Sequence, residues 1–414
     1  MNRNVLDVLE YDGDGYSRVV SGAKWTVAAL NYAERFDERS IVALERHNLT
    51  DETFVLLSGE ATLVVGENAE RVRMEPLKFY NVRAGAWHNI FVSRDARVLV
   101  AENADTSRDN TEYLDIATRR VFARRPAFEN VLDGTYLLKV PFGPVWTGIA
   151  LVRGERNFLV DSSHIEPERF LIPALADLGM KPSDIDWLLC THVHGDHIGG
   201  HHALHERYGV KVATLGSSAD ALRDPVKVAV RVRTRFPENS PPPQSHLKGV
   251  EPDLVIGEGE LLEGRFRAIA APGHDDDCLV WLDTLTGTAF SGDSLQANGT
   301  VCQGIAFYRD LAAYRRTLAR LADEKIDTLV CGHDYDGIGS VLRGRDAVAA
   351  AIRYSEDRVR LYGERVEAYV KDGVPVEKEP VSIARKLICE VGCGMPERLF
   401  LALHTVSEHL KEMA

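Results

Sequence analysis

The run Thr191-His192-Val193-His194-Gly195-Asp196-His197-Ile198-Gly199-Gly200 constrains this chain more than any other stretch. Three imidazoles and one carboxylate fall within six positions, directly behind an apolar run, Trp187-Leu188-Leu189-Cys190, that reads as a buried strand. Imidazole and carboxylate are first-choice ligands for zinc and similar divalent metals. His192 and His194 alternate by two, so local backbone geometry aims them rather than a helix face. Asp196 and His197 are adjacent and must diverge, which suits two metals side by side better than one. Gly195, Gly199 and Gly200 permit the sharp turns such a loop needs. An exposed polar loop with incidental histidines does not account for this density behind a buried strand.

A chain of 414 residues has room for two or three domains. Its net charge of −13 disfavours nonspecific binding to nucleic acid or to an anionic membrane, both of which need a basic surface. The N-terminus lacks an apolar core behind a basic start, and no stretch approaches the ~18 apolar residues of a membrane helix. The six cysteines form no C-x-x-C pair, so the expected home is a reducing cytoplasm. Cys190 and Cys331 end apolar strands and read as core.

Residues 1–105 read as β-rich, with strands at 25–31, 40–45, 53–57, 61–65, 78–82 and 97–101 punctuated by Gly59, Gly66 and Gly85. Many short strands with glycine turns indicate a sandwich or barrel. Residues 106–130 are polar and read as a linker with a helix around 112–123. From 131 to 345 strands and helices alternate, an α/β pattern, with helices at 167–178 and 311–322. Lys227, Arg231, Arg233 and Arg235 read as a solvated face or, alternatively, as an anion-attracting rim. Residues 346–414 are helical, with long amphipathic patterns at 345–369 and 399–412, and read as an appended segment.

Within 131–345, further polar residues fall at strand ends: Asp161, His274 in Ala-Pro-Gly-His, Asp293 in Ser-Gly-Asp, and His333 in Cys-Gly-His. In α/β sheets, ligands gather at such ends. A lone Gly-His is weak evidence; its repetition in this position is stronger.

This combination of H-x-H-x-D-H with a later Gly-His, Gly-Asp and Gly-His resembles the metallo-β-lactamase superfamily over residues 134–345. The resemblance implies an αββα sandwich with a dinuclear centre, usually zinc. It places His192, His194 and His274 on one metal, Asp196, His197 and His333 on the other, and Asp293 between them. A bridging Asp is more like glyoxalase II and the lactonases than the antibiotic-destroying members. Many members of that superfamily continue after Pro-Gly-His with Thr-Pro-Gly; here Asp275, Asp276 and Asp277 follow. That triplet could tune the site, bind a cationic substrate group, support ligand histidines, or be only an exposed turn. The implied chemistry is hydrolysis: zinc lowers the pKa of bound water from about 15.7 to about 7. The resulting metal-bridging hydroxide attacks an ester, thioester, lactone or related carbonyl of a small molecule, with Asp196 orienting it.

Glu45, His47, Glu52 and Gly59, with Gly85 and His88, resemble the two motifs of the cupin superfamily over residues 20–105. Glu45 stands where the first motif has its first His, and Arg83 replaces a Pro in the second. The resemblance implies a small β-barrel with Glu45, His47, Glu52 and His88 inside, suited to Mn²⁺, Fe²⁺ or Zn²⁺. The alternative is a polar barrel interior without metal. Trp87, Phe54 and Phe79 read as core or pocket wall. Cupins pair through their sheets, which implies a homodimer. The expected protein is a dinuclear hydrolase whose cupin-like part binds a ligand or orders assembly. The alternatives are a bifunctional metabolic enzyme with a second activity in the cupin, a nuclease, which the acidity argues against, and a non-enzymatic binding or sensor protein.

Overall fold

A computed structural model describes residues 7–22, 24–104, 106, 111–116, 121–122, 126–142, 145–372, 380–394 and 399–413. The chain forms two compact units. Unit 1 comprises Met1–Ala127 and Pro167–Lys181; unit 2 comprises Phe128–Glu166 and Pro182–Ala414.

Unit 1 contains strands β1 (Tyr16–Ser21), β2 (Trp25–Asn31), β3 (Ala43–His47), β4 (Glu52–Ser58), β5 (Ala61–Val65), β6 (Glu70–Arg73), β7 (Phe79–Val82), β8 (His88–Val92), β9 (Arg97–Asn103), β10 (Thr111–Asp115) and β11 (Val121–Phe122), with helix α1 (Leu171–Asp177). They make two antiparallel sheets, ordered β1-β2-β9-β4-β7 and β11-β10-β3-β8-β5-β6. Alternate residues of both sheets, including Leu30, Phe54, Leu56, Leu63, Ile90, Val98 and Val100, share one core, as a period of two requires. Among the described residues no hydrogen-bonded ring closes the two sheets into a barrel.

Two sequence expectations fail here. The linker helix expected around 112–123 meets a strand: β10 pairs antiparallel with β3, Tyr113 opposite Glu45. The segment Thr-Glu-Tyr-Leu-Asp satisfies its backbone by extending the sheet, and tertiary pairing overrides local helical preference. Residues 117–120 and 123 of that expectation lie outside the described residues. Phe79 is not core: it is 78% exposed, on the solvent side of β7, which ends the order of its sheet. Phe54 and Trp87 are buried as expected.

Unit 2 stacks two sheets. The first runs β12 (Phe128–Leu132), β13 (Thr135–Phe142), β14 (Val145–Val152), β15 (Phe158–Val160), β16 (Trp187–Leu189), β17 (Lys211–Leu215), β18 (Leu254–Ile256). The second runs β19 (Leu261–Leu262), β20 (Phe266–Ala270), β21 (Leu279–Asp283), β22 (Thr288–Gly292), β23 (Thr328–Tyr335), β24 (Gly339–Arg343). Their facing sides share a core of Leu137, Phe158, Leu189, Phe266, Trp281, Phe290 and Val330. Helices α2 (Gly195–Ile198), α3 (His201–Tyr208), α4 (Gly216–Arg223) and α5 (Pro225–Thr234) follow the strands of the first sheet, α3 and α4 packing on β17. The second sheet is covered by α6 (Leu311–Asp323), α7 (Arg345–Lys371), α8 (Pro380–Val391) and α9 (Leu399–Met413). This is a helix–sheet–sheet–helix sandwich.

The residues expected to form an appended segment join the core over the second sheet. Val348, Ile352, Val359, Tyr362 and Val366 of α7, and Leu403 and Val406 of α9, pack with Leu318 and Leu321 of α6. The apolar stripes that made these helices legible are the faces they bury. Cys190 and Cys331 are buried, as expected. Among the described residues no helix is long and apolar enough to cross a membrane.

Candidate metal centre

Five strands of unit 2 deliver the polar residues to one edge. Strand β15 ends at Asp161, β16 leads into His192–His197, β20 into His274, β22 into Asp293, and His333 sits within β23. The parallel run β15–β16–β17 aligns the first two of these strand ends. Two glycines set the close approaches. Gly273 has φ +140°, and a Cβ there would lie 2.5 Å from Tyr314 Cα. A Cβ at Gly332 would lie 2.7 Å from both Asp293 Oδ1 and His197 Cε1.

All seven residues expected from the sequence come together. His192, His194 and His274 form one group with ligand atoms within 4.8 Å of one another, and Asp196, His197 and His333 form a second. Asp293 lies between them. Its Oδ1 is 3.3 Å from His197 Nε2 and 3.5 Å from His333 Nε2, while its Oδ2 is 3.5 Å from His274 Nε2. Asp196 Oδ2 is 3.4 Å from His333 Nε2. Ligand atoms around a tetrahedral ion at about 2.1 Å lie roughly 3.4 Å apart, so these spacings fit divalent metals.

Each ring has its second nitrogen held from outside. His197 Nδ1 donates to Asp161 Oδ2 at 2.8 Å and His333 Nδ1 to the Trp146 carbonyl at 2.6 Å. His194 Nε2 donates to Asp275 Oδ2 at 3.0 Å. His274 Nδ1 lies 2.9 Å from the Phe307 carbonyl oxygen and 2.7 Å from Gln296 Nε2. The Thr191 hydroxyl donates to Asp161 at 2.7 Å, leaving its oxygen to accept from His192 Nδ1 at 3.2 Å. Such outer partners fix tautomer and orientation of metal-ligating histidines. The inward atoms His192 Nε2, His197 Nε2 and Asp293 Oδ1 are buried without a hydrogen-bond partner, which is costly unless a cation or proton joins them.

The electrostatics agree. Burial and the neighbouring His197 and His194 push His192 well below an ordinary imidazole. Burial opposes charge on His197, yet Asp293 and Asp161 raise it well above the usual value. Burial likewise opposes ionisation of Asp293, and His333 and His197 override it, holding the carboxyl well below its usual range. The centre therefore combines a neutral His192 imidazole with carboxylates that attract positive charge.

A cleft of about 690 Å³, its open mouth included, leads to these residues. Phe142, Phe307, Phe400 and Leu401 give it apolar walls, and Arg233 and Gln244 line it too. The wall at Phe400 and Leu401 belongs to α9, which sequence reading left out of the site; the apolar start of that helix was its only signal. Two arginines of the basic run lie close to these residues. Arg231 pairs with Asp275 and Asp276, and Arg233 lines the cleft.

In unit 1, Glu45, His47 and His88 form one group and His47, Glu52 and Glu102 another. His88 Nε2 lies 2.8 Å and His47 Nε2 3.3 Å from the same Glu52 oxygen. All four expected residues line one pocket with Glu102, which sequence reading missed. Glu102 sits on β9, and nothing in its local pattern separates it from other strand glutamates. Burial works against charge on both, but the His47 and His88 bonds lower Glu52 to about 2, and Glu52 raises His88 to about 8.

Residues 142–333 match the model of the metallo-beta-lactamase superfamily. A hydroxyacylglutathione hydrolase of Xanthomonas axonopodis pv. citri is 30% identical over 222 residues, covering 50% of this chain and 72% of that protein. A beta-lactamase-like protein 2 homolog of Drosophila melanogaster is 29% identical over 181 residues, 44% of this chain and 55% of that protein. A Cereibacter sphaeroides hydroxyacylglutathione hydrolase is 31% identical over 165 residues, 39% of this chain and 54% of that protein. The chain thus spans about half the length of these last two. Among solved structures, a metallo-beta-lactamase family protein from Thermus thermophilus shares the fold, with TM-score 0.54 at 22% identity over 69% of this chain and 95% of that one. By fold, centre and these likenesses, the chain belongs to the metallo-beta-lactamase superfamily.

Proposed function

We propose that unit 2 is a dinuclear metal-dependent hydrolase acting on an ester, thioester, lactone or related bond of a small molecule. The observation that carries this reading is Asp293, whose two oxygens face two different histidine groups. His192, His194 and His274 would hold one ion, Asp196, His197 and His333 the other, with Asp293 shared and zinc the first candidate. Divalent ions bound there supply a water acidic enough to ionise near neutral pH and a Lewis acid for the carbonyl oxygen. Asp196, the most exposed of the carboxylates, orients the attacking water. Phe307, Phe400 and Leu401 exclude solvent and take the apolar part of the substrate, and Gln244 offers an amide to its polar part. Thioesters come first among bonds, because two relatives carry the name hydroxyacylglutathione hydrolase. Metal-replete protein tested on thioesters, lactones, phosphodiesters and β-lactams reads the bond directly. If the protein takes up no more than one ion and a dinuclear centre cannot be reconstituted, the reading fails.

For unit 1 the convergence of His47 and His88 on Glu52 favours a cupin-like ligand chamber. There Glu45, His47, Glu52 and His88 would take Mn²⁺, Fe²⁺ or Zn²⁺. Its role is ligand binding or assembly, including a homodimer, measurable by light scattering. Loss of turnover in folded His88→Ala would instead favour two catalytic units.

A further inference from the structure

We propose that Asp275, clamped between Arg231 and Arg309, is the carboxylate that positions His194 as a metal ligand; this rests on the two-ion reading above. The structure gives each carboxylate of the triplet Asp275–Asp277 a separate place. Asp276 is exposed and pairs with Arg231. Asp277 is buried and accepts from the Val193 backbone N–H at 2.6 Å, bracing the loop between His192 and His194. Asp275 is buried, and its two oxygens divide their partners. Oδ1 accepts from both guanidinium groups and from the Asp276 backbone N–H at 2.8 Å. Oδ2 accepts from His194 Nε2 at 3.0 Å.

That division has a chemical consequence. Two guanidinium groups and a backbone N–H occupy Oδ1 and hold the carboxylate in place, leaving Oδ2 to the imidazole. His194 is thereby fixed with its proton on Nε2 and its lone pair on Nδ1. Nδ1 is turned toward His274 Nε2, 3.0 Å away, inside the His192–His194–His274 group. A carboxylate behind a ligand imidazole orients the ring and makes its other nitrogen more basic. The clamp also joins three segments. Arg231 comes from α5, and Asp275 follows His274. Arg309 precedes α6, with its backbone N–H donating to the Gly273 carbonyl at 2.8 Å.

The test measures metal rather than turnover. Wild type, Asp275→Asn, Arg309→Gln and Asp276→Asn are loaded with Co²⁺ or Zn²⁺, and affinity is read by competition with a chromophoric chelator. The visible spectrum of the Co²⁺ forms reports coordination, which a merely structural ion pair would leave alone. Asp275→Asn is expected to weaken binding at the affected ion about ten- to a hundredfold and to shift the Co²⁺ bands. Arg309→Gln is expected to weaken it in the same direction by less, and Asp276→Asn to match wild type. Folded Asp275→Asn with wild-type affinity and spectrum overturns the proposal. Should Asp275→Asn fail to fold, Arg309→Gln decides, and an unchanged affinity there overturns it equally. Wild type that takes up no ion sinks the two-ion reading and this proposal together, whereas a two-ion wild type with indifferent variants sinks the proposal alone.

Discussion

The chain holds two clusters of histidine and carboxylate, and they solve the same physical problem in opposite ways. In unit 1 the inward nitrogens of His47 and His88 rest on one carboxylate, Glu52, and the set is satisfied by its own protons. In unit 2 the outer nitrogens are anchored, while His192 Nε2, His197 Nε2 and Asp293 Oδ1 are buried without hydrogen-bond partners. A satisfied polar network is stable alone; a network with inward orphans is costly until a cation completes it. The difference teaches that density of ligand residues is not sufficient evidence for a metal, and that the direction of the remaining valences discriminates.

The largest expected effect follows from Asp293, the residue shared by both groups of unit 2. Asp293→Ala should weaken binding of both ions by well over a hundredfold, since outer partners alone are worth about ten- to a hundredfold. His88→Ala should leave those two ions in place. Metal analysis of the two variants breaks the comparison if each loses the same ions. Backbone packing gives the next effect. Gly273→Ala forces a Cβ against the Tyr314 backbone at a φ that side chains avoid, and should cost about 3 kcal/mol in unfolding free energy. Thermal or denaturant unfolding of unit 2 that matches wild type would refute it. A graded chelator series then sharpens the contrast. An ion in unit 1 must displace existing His–Glu52 bonds, so it should be stripped at lower chelator concentration than the ions of unit 2.

How legible the molecule was follows the same line. The sequence motif names all seven residues of the candidate centre because most of them fall at strand ends or in the loop after β16, which are local features, while His333 sits within β23. The support around them was not legible. Asp275's role depends on Arg231 and Arg309, 44 and 34 residues away in sequence, and no local pattern announces such partners. Phe400 and Leu401 reach the cleft only because α9 packs over the second sheet. In unit 1, strand alternation made the sheets readable, but β10 looked helical in isolation and became a strand because β3 offers it an edge. Glu102 lies near Glu52 on the neighbouring strand of the same sheet, and the stacking of the two sheets brings His47 of β3 to them, which periodicity alone does not reveal.

The smallest expected effect is a difference in the sign of pH dependence between the units in chelator-treated protein. In unit 1 the bond to Glu52, against burial, raises His88 to about 8. A raised histidine contributes stability that is full below its unfolded value near 6.5 and is lost as pH rises through about 8. In unit 2, burial lowers His404 to about 3 and His409 to about 4, with Arg235 near the first and Arg315 near the second adding to the shift. These rings are neutral in the folded state, His404 Nε2 donating to the Val232 carbonyl at 3.0 Å and His409 Nε2 lying 2.6 Å from the Tyr308 hydroxyl. The unfolded chain binds their protons first, so unit 2 loses stability as pH falls from about 6.5 toward 4. The slope is at most about 1.4 kcal/mol per pH unit for each histidine. Hydrogen exchange corrected for intrinsic rates and read by region should show unit 1 strands better protected at pH 6 than at pH 9. Helix α9 should show the reverse between pH 5 and pH 7. Protection that moves in the same direction in both units would mean that a single global opening, not the local histidines, governs the response.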